Sequence, residues 1–337
     1  MSTHVTSALA VLCTAICPPV TAAQAQASGE QVVLGEGEQR FQWVSGWARL
    51  PQGVERFGNT HGCMVVDSQD RLYVNTDTER AVMVFERDGT FVGAWGEELK
   101  GGLHGMAIAK DDAGEFLLLA HTGRHEVLRT TLGGEVVWTI GWPETAGVYE
   151  NAGEYRPTGV ALGPNGHVYV ADGYGKSWVH EYDAEREYVR SWGGPGTEPG
   201  QFKTPHGIWI DTRGAEPLVL VADRENGRLQ WFDLDGKFVK MLDRDLRRPC
   251  SVYQRGDLLA VADLAGRVTL VGEQGGALVQ LGDNPDPGLR ARNDVAPEQW
   301  KDGEFLSPHS VAWDSQGDLY VMDWNYLGRI TKLRALK

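Results

Sequence analysis

A chain of 337 residues with 42% hydrophobic content and 43 glycines has ample material for a core and for many tight turns. Its net charge of −14, without a basic cluster anywhere, excludes a nucleic-acid partner, because a phosphate backbone demands a basic face. Repeats therefore become the first thing to look for, since at this length they override any count of domains by size.

Residues 1–27 contain no Asp, Glu, Lys or Arg. An apolar run from Ala8 to Val20 leads into alternating small residues, as at a secretory cleavage site near Ala25 or Ala27. The run is too short to span a bilayer as a helix. A signal peptide over 1–27, a secreted or periplasmic product and no membrane span are the expectations. Beyond that leader only Cys63 and Cys250 remain, and both are expected as buried free thiols.

From there a pattern of roughly 45 residues returns six times, each carrying four short strands. The first strands open on His61, His104, Thr158, His206, Cys250 and His309, each followed by Gly or Ser. Second strands end on acids at Asp172, Asp223, Asp263 and Asp323, and outer strands close on Trp95, Ile140, Trp192 and Leu281. This predicts an all-β, six-bladed β-propeller over residues 28–337. The last repeat lacks a fourth strand, and Phe41 to Trp47 reads like the outer strand Phe91 to Trp95. That N-terminal segment should complete the last blade and cover its open edge. Two long excursions, Trp142 to Tyr155 and Asn284 to Phe305, both precede first strands and should lie on one rim, where long loops cover sites.

Nine histidines are present, yet four occupy the same slot: His61, His104, His206 and His309. The slot is the mouth of the innermost strand, so its residues converge on the central channel. His104, His206 and His309 belong to alternate blades, about 120° apart in a six-fold ring. Three neutral imidazoles with an open fourth position match a catalytic zinc-type centre. Polar channel lining is the plain alternative. His61 is open between a fourth ligand, a base behind the ligands and lining. A fourth histidine would widen the metal choice from zinc to manganese, iron or copper. Tyr174 and Arg224 follow the ends of second strands near the same mouth, as candidate general base and carboxylate clamp respectively. His121, where other repeats place aspartate, reads as a turn residue or a further channel residue.

These residues resemble the NHL-repeat propellers, and among them the peptidyl-α-hydroxyglycine α-amidating lyases. The matching stretches are Leu103 to Gly105, Pro205 to Gly207 and Pro308 to Ser310 around the three histidines, Ala171 to Tyr174, and Ala222 to Arg228. The resemblance implies zinc on His104, His206 and His309, with Tyr174 and Arg224 as catalytic residues. The chain departs from that pattern in several places. Asn75 and Thr76 stand where a second arginine is expected, Ser307 replaces a methionine, and Ser310 replaces an aspartate that helps hold calcium. The lyase's disulfide cysteines are missing, and His61 has no counterpart. A structural calcium is not expected. The resemblance thus implies a metal-dependent lyase acting on a hydroxylated, carboxylate-bearing small molecule or peptide. The alternative from another class is a non-catalytic NHL propeller binding a peptide, protein or glycan on its rim. A lactonase-like hydrolase, with calcium held by Glu, Asp and Asn, is disfavoured by the histidine-rich slot.

Overall fold

The computed structural model describes residue 1, residues 31–273 and residues 275–336. The expected signal peptide and its cleavage point lie outside the described residues. From Val32 onward the chain forms one compact unit. Its strands make six antiparallel sheets, the blades of a propeller. Among the described residues the only helical elements are short 3-10 turns, and no helix is long and apolar enough to cross a membrane.

Blade one runs Met64–Val66, Leu72–Asn75, Val82–Phe85 and Phe91–Trp95, from the axis outward. Burial follows position. The three inner strands are buried on both faces, while the outer strand alternates half-buried and exposed residues. Continuous apolar runs inside and alternation outside are what a sheet covered by neighbours on both faces requires. The core is accordingly divided into six apolar layers, one between each pair of adjacent blades.

The ring closes as the sequence predicts. Gln39–Val44 pairs antiparallel with Arg329–Ala335, Trp43 opposite Leu333 and Phe41 opposite Ala335. Trp43 is buried against Phe305, with the Arg329 guanidinium over its ring. One element is not anticipated by the repeat pattern. Val33–Glu36 adds a fifth strand outside Gln39–Val44, so the last blade is wider than the others.

The acids ending the second strands hold backbone in place. Asp172 accepts the Arg156 amide at 2.7 Å, Asp223 that of Lys203 at 2.7 Å, Asp263 that of Arg248 at 2.7 Å and Asp323 that of Ser307 at 2.7 Å. Each carboxylate fixes the segment entering its own blade two or three residues before the slot. The slot is thereby placed at the mouth of the channel.

Candidate metal centre

Four blades start with a β-bulge, and the bulge aims the slot residue. In blade four Pro205 pairs with Asp223 and Gly207 with Ala222, leaving His206 between them without a cross-strand partner. His104, Cys250 and His309 are skipped in the same way. An inserted residue escapes the strict in-and-out alternation, which is how bulges re-aim side chains. His61 and Thr158 instead precede the first residue of their strands.

The histidines meet. Ring centroids of His104 and His206 are 4.7 Å apart, those of His206 and His309 4.7 Å, and those of His104 and His309 5.0 Å. His61 joins them, 5.1 Å from His104 and 5.0 Å from His309. Donor atoms fall into two overlapping groups, each within 4.8 Å: His61, His104 and His309, and His206, Cys250 and His309.

Backbone carbonyls orient the rings. His104 Nδ1 donates to Thr158 O at 2.7 Å, His206 Nδ1 to Cys250 O at 3.0 Å and His309 Nδ1 to Gly62 O at 2.9 Å. Each acceptor belongs to the next blade, so blades two, four and six supply rings and blades three, five and one supply anchors. A carbonyl can only accept, so the proton sits on Nδ1 and Nε2 keeps its lone pair. Burial holds all three rings far below the usual imidazole range, and it lowers His61 to about 4, with Arg224 adding to the shift. All four are neutral at pH 7.

The Nε2 lone pairs converge with too few protons to meet them. Tyr174 Oη lies 3.1 Å from His206 Nε2, 3.3 Å from His104 Nε2 and 3.3 Å from His61 Nε2, but its single proton serves one at a time. His309 Nε2 is buried with no partner at all. Crowded, desolvated acceptors of this kind are costly unless a cation meets them. The residues present fit a divalent transition metal.

Around the rings stand the other predicted residues. Arg224 donates from Nη1 to Tyr174 Oη at 3.2 Å and from Nε to Glu225 at 2.9 Å, which also engages Arg248. Burial raises the Tyr174 phenol, and Arg224 pulls against that rise. Two residues of the hub are not among those the sequence singles out. Trp324 faces His61 at 5.1 Å, and Cys250 is fully buried in the donor group. Burial pushes the Cys250 thiol up to about 12, with Arg224 opposing. A signal for Cys250 is present in the sequence, since it occupies the histidine slot. His121 ends the strand Gly114–His121, and its Nδ1 makes the turn hydrogen bond, accepting the Arg124 amide at 3.2 Å. Cys63 and Cys250 are free thiols.

The two excursions brace the turns that carry Tyr174 and Trp324. Tyr149 donates to Asp172 at 2.7 Å, Lys176 Nζ to Val148 O at 3.1 Å, and the Tyr174 amide to Arg156 O at 3.3 Å. From the second excursion, Val295 O accepts from Asn325 at 3.0 Å and Asn293 O from the Tyr326 amide at 2.8 Å. A cavity lined by first-strand residues of all six blades includes Trp209 and Tyr253, whose ring centroids are 4.7 Å apart.

The fold defines the class, a six-bladed β-propeller, and within it the NHL repeat model matches residues 155–182. NHL repeat-containing protein 3 of Mus musculus is 30% identical over 205 residues, 58% of this chain and 57% of that protein. Peptidyl-α-hydroxyglycine α-amidating lyase 1 of Drosophila melanogaster is 27% identical over 190 residues, 50% of this chain and 33% of that protein. The chain thus spans about half the length, or less, of these curated relatives. In fold it is similar to the streptogramin B lyase structure, with a TM-score of 0.58 at 12% identity, covering 84% of this chain and 97% of that one. The protein is a six-bladed β-propeller with an NHL repeat match over residues 155–182, and part of its sequence is similar to NHL repeat-containing protein 3 and to an amidating lyase.

Proposed function

We propose that the hub is the active site of a metal-dependent lyase of the amidating-lyase-like group, acting on a hydroxylated, carboxylate-bearing small molecule or peptide. The observation that carries this reading is the tautomer: three carbonyl-anchored Nδ1 atoms leave three Nε2 lone pairs free on rings whose centroids lie 4.7 to 5.0 Å apart. His104, His206 and His309 would hold the ion, zinc first and manganese, iron or copper as alternatives. When bound, a divalent transition metal supplies Lewis-acid polarisation of a substrate hydroxyl.

The chain's own groups do the rest. Tyr174 lies within hydrogen-bond reach of three rings; with a cation held beside it and Arg224 alongside, the phenol would give up its own proton to solvent and, as phenolate, would take the hydroxyl proton. In an amidating-type reaction the carbon–nitrogen bond then breaks, an aldehyde forms, and the leaving amide nitrogen needs one proton. The proton removed by Tyr174 balances that demand. Arg224, locked by Glu225 on one nitrogen and Tyr174 on another, offers its cationic edge to a substrate carboxylate. Trp324 supplies an apolar wall beside His61.

Elemental analysis of the purified protein, coupled to turnover of an α-hydroxyglycine peptide with glyoxylate as readout, tests this. About one transition-metal ion per chain and chelator-sensitive glyoxylate release are expected. A metal-free protein without turnover refutes the reading. Metal without glyoxylate keeps the centre and discards that substrate. The similarity to NHL repeat-containing protein 3 favours a second reading, a rim that binds a peptide, protein or glycan without catalysis. Ligand capture unaffected by chelator would mark that case.

A further inference from the structure

We infer that Cys250 is a metal ligand of the hub, a thiolate donor that narrows the ion to borderline metals such as zinc and cobalt. The inference rests on the hub holding a metal at all, and it deepens that reading by naming a donor from a fourth blade.

The backbone delivers the sulfur to the axis. Cys250 is the bulge residue of blade five, skipped between the Pro249–Asp263 and Ser251–Ala262 pairs. His104, His206 and His309 are aimed by the same device. A bulge that points three imidazoles at the axis points this thiol there too. The sulfur and one ring nitrogen each of His206 and His309 lie within 4.8 Å of one another, and all three residues are buried. His309, a member of this group and 1% exposed, keeps a buried Nε2 without a partner.

Charge points the same way. Neither donor group includes a carboxylate. Three neutral imidazoles would leave a divalent ion with its full charge in a buried hub that already contains the Arg224 guanidinium. Buried charge of one sign is expensive. A thiolate removes one unit of it. On binding, the sulfur–hydrogen bond breaks, its proton leaves to solvent, and a metal–sulfur bond forms with no change of oxidation state. Sulfur also discriminates: thiolate suits zinc and cobalt and disfavours manganese, magnesium and calcium.

The test is a cobalt(II) titration of the full chain under reducing conditions, read by absorption. The wild type should show visible cobalt bands together with a near-ultraviolet sulfur-to-cobalt charge-transfer band. Cys250→Ser should keep visible bands, lose the charge-transfer band and bind cobalt about tenfold or more weakly. Cys63→Ser should keep both bands. A wild type that binds cobalt without charge transfer, or a Cys250→Ser protein that retains it, overturns the Cys250 assignment and leaves the histidine centre standing. A wild type that binds no cobalt removes the centre itself. X-ray absorption at the zinc edge of the zinc-loaded wild type needs no variant. One sulfur neighbour supports the assignment, and a shell of nitrogen and oxygen alone overturns it.

Discussion

The glycine after the slot gives the sharpest handle on the hub. A Cβ built on Gly207 would lie 2.4 Å from Cys250 O and 2.9 Å from Ser251 Cα, so the next blade's backbone sits against the bare Cα. That same oxygen anchors His206 Nδ1 at 3.0 Å. In Gly207→Ala the oxygen must recede from 2.4 Å to beyond 3.0 Å from the new methyl. A displacement of that size carries the Nδ1–oxygen distance out of the hydrogen-bonding range of about 2.7–3.2 Å. Over-packing of this kind costs about 1–3 kcal/mol of stability. Losing the group that orients a ligand costs about 10–100-fold in metal affinity. Affinity is measured by competition with a chromophoric chelator, and stability by thermal melting. Gly141→Ala, whose added methyl would meet no atom within 4 Å, serves as the neutral comparison. A Gly207→Ala protein with lowered stability but wild-type metal affinity would refute the carbonyl-anchor reasoning.

Three further outcomes are expected. Tyr174→Phe should lower kcat by about 10²–10⁴-fold while leaving bound metal unchanged, and an unaffected kcat would remove the phenol from proton transfer. Trp43→Ala, which empties the buried contact with Phe305, should cost about 3–5 kcal/mol in denaturant unfolding; a loss below about 1 kcal/mol would show that the N-terminal strand does not hold the ring. In metal-stripped protein, stability should be full above about pH 6.5 and decline as pH falls toward about 4, because the unfolded chain takes a proton on His61 that the folded hub refuses. His61 alone contributes about 3 kcal/mol to that decline, and a flat melting profile between about pH 7.5 and 4 would contradict it.

Blade number and ring closure are legible in the sequence because they rest on local pattern. Apolar strands recur with fixed turn residues, and Phe41 to Trp47 repeats the outer-strand pattern of Phe91 to Trp95. The convergence of His104, His206 and His309 is legible for the same reason, since equal slots in equal blades reach one axis. The strand Val33–Glu36 is not, because its four residues are too few to show a period, and three of them are exposed. Trp324 cannot be placed by pattern, since it sits in a turn whose course depends on bonds from a distant excursion. Cys250 is visible but easily passed over: counting histidines alone hides that the slot, rather than the residue type, decides which side chains reach the axis. The role of the strand-ending acids is hidden too, for their partners are backbone amides some sixteen to twenty residues away.

The bond from His309 to Gly62 crosses the seam where the two ends of the chain are joined. Two of the three rings find their anchors in blades that follow directly along the chain, but this third ring finds its anchor only after the circle is shut. Full orientation of the three rings is therefore a property of the finished wheel alone. On the proposed reading of the hub as a metal centre, a chain stalled before closure would lack the third oriented imidazole and would be spared premature loading with an ion.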